Sequence, residues 1–222
     1  MTSANLLLRV RTMLDEASAS YWSDAEIYAA ATDGQSTLLS LALAVDSAKE
    51  DKSANQDIDL SLFLSYFYSV VTGTVASGTS TITLSGAVLE ILWLLYNPAA
   101  ASPLYPVRFR RLGEAYQFQS RNQYLSGTSA ANDYYAIPLK AASGSGTITL
   151  ETASTNNAAT YNAGVITQPA DIAAGQSPTA PDIAMDAIAT FAFGRMMIKD
   201  QRNDEANAAF ARFLQMAQGV IQ

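Results

Sequence analysis

The side chains best suited to chemistry in this sequence are carboxylates, clustered at Asp15 and Glu16, at Glu50 and Asp51, at Asp57 and Asp59, and at Asp200, Asp204 and Glu205. Paired carboxylates can divide acid and base work or hold a cation, provided that desolvation pulls their proton affinities apart. Their surroundings argue for a plainer role, because every cluster lies in a polar stretch or at the end of a helical pattern, where acids cap turns in water. A metal-independent hydrolase using Asp57 and Asp59, or Asp200 and Asp204, is the enzymatic reading these clusters leave open.

The chain has no histidine and no cysteine. Disulfides, thiolate nucleophiles and imidazole bases are therefore excluded, along with nearly all structural zinc sites. No phosphate-cradling glycine motif and no G-x-S-x-G nucleophile elbow occurs. The expectation is a protein with no catalytic residue, no metal site and no cofactor, and not an enzyme.

The one basic concentration is Arg108, Arg110, Arg111 and Arg121, interleaved with Phe109, Tyr116 and Phe118. Guanidinium forks pair well with carboxylates, so the patch suits docking onto an acidic surface. Pairing with the chain's own acids is the alternative. A formal charge of −7 weighs against broad nucleic-acid binding, which needs a cationic face.

Residues that carry such a patch must be held by a fold, and 222 residues that are 49% apolar suffice for one domain with a sizeable insertion. No apolar run approaches the length of a membrane span and no signal peptide is visible, so a soluble protein is expected. Leu6, Val10, Met13 and Leu14 keep helical spacing behind Thr2 or Ser3 as cap, predicting a helix that ends near Ala17. Ser23 and Glu26 have the spacing of a capping box, with Trp22 and Ile27 as its hydrophobic staple. The helix they start is predicted to run to about Ala48, with Gly34 as a weak point. The polar residues 49–59 then read as a loop.

The middle of the chain turns to short runs of Val, Ile, Thr and aromatic residues, the pattern of antiparallel strands. Strands are predicted at 66–75, 79–84, 88–96, 105–110, 133–139, 146–152 and 161–167, with a short helix within 111–125. The segment 88–96 would also suit a helix. The aromatic run "LFLSYFYSVV", 62–71, reads as the entry strand of the sheet. "TSTITL" at 79–84 and "SGTITL" at 145–150 look alike, which we attribute to the shared demands of a strand with one wet face rather than to a repeat.

Residues 168–182 form a proline-bearing linker without periodicity. Helical spacing returns through Ile183, Ala187, Ile188, Phe191 and Ile198, and again through Ala206, Phe210, Phe213, Leu214 and Ala217. Between them "KDQRNDE", 199–205, reads as the elbow of an antiparallel helical hairpin, with Asp200 or Asn203 capping the second helix. The predicted fold class is α+β: a discontinuous α-helical bundle from both chain ends with an inserted antiparallel β domain. Its parts are N-terminal helices at 1–60, a β insertion at 61–168 with one short helix, and a linker with the helical hairpin at 169–222.

These features together resemble the head-to-tail adaptor (connector, or tail tubular) proteins of tailed bacteriophages over nearly the full chain. The likeness rests on the helix start "YWSDAEIYAAATDG" at 21–34 and on the closing pair "PDIAMDAIATFAFGRMMIKDQRNDEANAAFARFLQMA" at 181–217. The strands "NDYYAIPL" at 132–139 and "GTITLET" at 146–152 correspond more loosely, while 90–111 matches only in style. The resemblance implies a structural virion protein at the portal vertex, made in the host cytoplasm. It implies a homo-oligomeric ring, usually dodecameric, between the portal and a tail or nozzle protein, with DNA passing through its channel unbound and no membrane contact. An acidic chain suits such a conduit. The glycine- and serine-rich turns at 75–80 and 152–159 suggest a free monomer that orders loops on docking. A virion-associated carbohydrate- or receptor-binding module, presenting Tyr and Trp from its β insertion, is the rival reading.

Overall fold

A computed structural model describes residues 2–16, 21–48, 61–76, 78–79, 81–84, 86–97, 104–109, 134–140, 146–150 and 159–221. The chain folds as two units, a helical one of Met1–Glu50, Asp59–Phe67 and Pro169–Gln222, and a sheet unit of Asp51–Ile58 and Tyr68–Gln168. The predicted loop at 49–59 and helix within 111–125 lie outside the described residues.

In the helical unit, α1 (Ser3–Met13) starts at Thr2, whose hydroxyl accepts from the Asn5 amide. It ends short of the expected Ala17, because Asp15 turns into the left-handed region at φ 54°. The Glu16 amide donates to Arg11 O and the Asp15 amide to Thr12 O, the two bonds of a Schellman motif. Helix α2 (Asp24–Ala48) begins with the expected capping box: the Ser23 amide donates to Glu26 Oε2 at 3.1 Å, and the Glu26 amide to Ser23 Oγ at 3.3 Å. Both staple residues, Trp22 and Ile27, are buried.

The first half of the aromatic run 62–71 is not strand. Leu62–Ser65 forms a single helical turn, α3, because Ser61 Oγ caps it by accepting from the Leu64 amide, and Phe63 and Leu64 are buried. After the linker a 3-10 turn (Asp182–Ala184) leads into α4 (Met185–Lys199), with Pro181 ahead of the turn and no side-chain cap.

Helix α5 (Asn203–Ile221) returns antiparallel on α4. Phe191 meets Phe210 and Phe213 with ring centroids 5.3 and 5.1 Å apart, while Thr190 reaches Met216 nearer the far end. The elbow is another Schellman motif, with Gln201 at φ 59°, its amide donating to Ile198 O, and the Arg202 amide donating to Met197 O. Neither Asp200 nor Asn203 caps α5. Asn203 is already helical, and Arg202 ahead of it binds Glu205 at 2.8 and 2.6 Å.

The sheet unit holds seven strands: β1 (Tyr68–Val75), β2 (Thr81–Leu84), β3 (Val88–Asn97), β4 (Tyr105–Phe109), β5 (Tyr134–Lys140), β6 (Gly146–Leu150) and β7 (Ala159–Thr167). Their order is β1-β7-β3-β4-β5-β6-β2. All neighbours are antiparallel except β4 and β5, which run parallel. The two look-alike strands are partners, with Ile82 opposite Ile148 and threonines on either side.

The edge strands β1 and β2 are consecutive in the chain. Laid flat, six strand spacings of ~4.8 Å would part these edges by ~29 Å, yet the six steps from Val75 to Thr81 reach at most ~21 Å. The sheet therefore curls, and one core takes in both edges: Val75, Ile82, Leu84, Leu94, Ile148 and Val165 are all buried together. Trp93 lies over Gly164 opposite it, and Tyr161 over Gly73, where a side chain at either glycine would collide with the ring.

Candidate functional site

Among the described residues the carboxylate clusters do not converge on a reaction centre. Glu16 accepts from Arg11 at 3.1 Å and from the Tyr21 amide at 2.6 Å, while Asp15 forms the helix stop beside it. Asp200 lies 3.9 Å from Arg202, Glu205 binds the same guanidinium, and Asp204 is exposed in the first turn of α5. Glu50, Asp51, Asp57 and Asp59 lie outside the described residues. Among the described residues no group of three or more Asp, Glu, His or Cys is placed to hold a metal.

Polar and charged groups, the buried Arg11 among them, instead fasten the helical unit together. Arg11 is 5% exposed; it donates to Glu16, to the Trp22 carbonyl at 3.1 Å and to Asp24, tying the end of α1 to the start of α2. Lys199, at the end of α4, pairs with Glu26 and sits 4.8 Å over the Trp22 ring. That ammonium and the two Ser23 donors hold the Glu26 carboxyl down at about 2. Nothing in the local sequence marks Arg11 or Lys199, since their partners lie on other elements.

The linker read as unpacked is in fact pinned along α2. The fully buried Gln35 donates to Ala170 O at 3.3 Å and accepts from the Ala180 amide at 3.0 Å, and Thr32 Oγ1 accepts from the Ile172 amide at 2.9 Å. A polar residue at a core position of a predicted helix was the available signal for Gln35. Between this segment and α2 runs an open groove of about 610 Å³, lined by Asp24, Tyr28, Ala29, Asp33, Asp171 and Ala174 among others. Its form suits a protein contact better than catalysis, for it offers carboxylates and small apolar residues without a nucleophile and base in register.

A family model described as SU10 adaptor protein matches the chain over residues 1–222. The chain belongs to the SU10 adaptor protein family. No curated protein matches it. An adaptor of this phage head-to-tail family is a structural component of the virion and works through contacts with other phage structural proteins. The functional site of the adaptor is accordingly a set of surfaces.

Of the basic patch, Arg108 falls on β4 with Tyr135 of β5 as its register partner. Arg110, Arg111 and Arg121 lie outside the described residues. No described helix is long and apolar enough to cross a membrane.

Proposed function

We propose that copies of this adaptor close into a ring, dodecameric as its family resemblance implies, beneath the portal at the capsid vertex. The ring joins capsid to a tail or nozzle protein and continues the DNA channel. The observation that carries this reading is the family match over the whole chain rather than over one unit.

The division of charge supports the conduit. The helical unit has fourteen acidic and seven basic residues, leaving −7, while the sheet unit has six of each and is neutral. All of the chain's excess charge thus belongs to one unit, and a wall built from it would repel phosphates and let DNA slide. The neutral unit contains Arg108, Arg110, Arg111 and Arg121, which would dock on carboxylates of a neighbouring virion protein. The test is sedimentation of the purified chain alone and mixed with its cognate portal. The expected result is a monomer alone and a large complex with portal; a concentration-independent free ring would contradict the first part, and the absence of a complex the second.

A further inference from the structure

Five of the six cations among the described residues of the helical unit have acidic partners: Arg9 pairs with Asp186, Arg11 with Glu16 and Asp24, Arg195 with Asp33, Lys199 with Glu26, and Arg202 with Glu205. The sixth, Arg212, has no acidic partner among them, in a unit with twice as many acids as bases. It stands on the outward face of α5, with Ala208, Ala211, Gln215 and Gly219 exposed around it, while Ala206, Ala209 and Phe213 are buried on the inward face. A side chain added at Gly219 would meet nothing within 4 Å.

The groove beside α2 is the counterpart. Asp24 and Asp33 there are engaged by Arg11 and Arg195, but Asp171 has no cation among the described residues. The groove floor includes Tyr28, a ring over which a guanidinium can lie, and its walls include the exposed Ala29 and Ala174. Helices α2 and α5 both pack mainly on α4 and little on each other, so their solvent faces are separate surfaces. One chain thus presents a convex small-residue face with an unpaired cation and a concave face with an unpaired acid. Such a non-identical, complementary pair is what a head-to-tail ring contact requires, whereas a two-fold dimer needs one self-complementary face.

We infer that Arg212 on α5 of one copy enters the groove beside α2 of the next copy and pairs with Asp171. This rests on the ring reading and names its contact. The small residues let the two helices approach closely, and the ion pair fixes their register.

The test uses the full chain with its portal, imaging rings for the wild type, Arg212→Glu, and Arg212→Glu with Asp171→Arg. Each substitution is at an exposed site, so an unchanged Tm confirms folding. We expect Arg212→Glu to lower ring yield by about tenfold or more, as close interfacial charge pairs are worth, and the double variant to recover most of it. Because the chain has no cysteine, Ala174→Cys in the groove with Ala208→Cys beside Arg212 leaves the ion pair intact and gives an independent reading: a short bismaleimide should link copies into a ladder of multimers. Wild-type rings with undiminished assembly of Arg212→Glu, or with no ladder, would overturn the inference and leave the ring reading standing. Absence of wild-type rings would overturn both.

Discussion

Gly34 of α2 lies directly against the ring of Phe191 on α4: a methyl group added to it would fall 3.1 Å from Phe191 Cδ1 and 3.2 Å from Cβ and Cγ. Phe191 cannot easily withdraw, because Phe210 and Phe213 of α5 flank it. The glycine that looked like a flaw in a helix is where α2 makes room for the Phe191 ring of α4.

Gly34→Ala gains about 1 kcal/mol of helix propensity but incurs an overpacking cost of about 1–3 kcal/mol. We expect a net loss of about 1 kcal/mol in denaturant unfolding. In a Phe191→Ala background, itself about 3 kcal/mol less stable, the sign should reverse. A double-mutant cycle measures this, and additive effects would refute the contact.

The non-glycine residues with positive φ among the described positions, Asp15 and Gln201, both stand at the C′ position of a Schellman motif. That conformation disfavours any side chain, so Gln201→Gly and Asp15→Gly should each stabilise the fold by about 1 kcal/mol. Thermal unfolding would show a rise in Tm for both; a fall would mean that these side chains have contacts that outweigh the backbone gain.

Arg11 is expected to be the most sensitive charge in the helical unit. Arg11→Met keeps much of the apolar stem but takes the Arg11 guanidinium from Glu16, whose side chain is only 12% exposed. The expected cost is about 3 kcal/mol, read by urea unfolding. Arg195→Met, at a pair exposed on both sides, should cost well under 1 kcal/mol.

Acid sensitivity should report the Glu26–Lys199 pair. The folded carboxyl is held near 2, against an ordinary value of 4.5, by the Lys199 ammonium and the Ser23 donors. Its contribution is present above pH 4.5 and is lost as pH falls toward 2, because the unfolded chain takes up the proton first. Lys199→Met should therefore lower Tm at pH 6, with the difference from wild type shrinking toward pH 2. A difference independent of pH would assign the effect to Lys199 packing on Trp22 instead.

Much of the fold could be read locally. The capping box at Ser23 and Glu26, the hairpin elbow and the positions of seven strands follow from short-range spacing, and the elbow's polar run does separate two helices. What failed depended on competition or distance. The turn at Leu62–Ser65 follows from one serine cap overriding β-prone aromatics, and Gln201 stops α4 through a conformation that its residue type does not announce. The parallel pairing of β4 with β5, the Arg11 network and the pinning of 169–182 by Gln35 join residues far apart in sequence. The candidate surface was legible only as composition: the arginine cluster drew notice, whereas Arg212 stands out only once every other described cation of the helical unit is seen to be paired.

The central claim, a ring that joins portal to tail, is tested most directly by imaging the purified chain mixed with its cognate portal across a range of salt concentrations. The account predicts a closed ring coaxial with the portal, an open central channel, and one adaptor copy per portal subunit. Failure to form any ring-shaped complex at every salt concentration would contradict it.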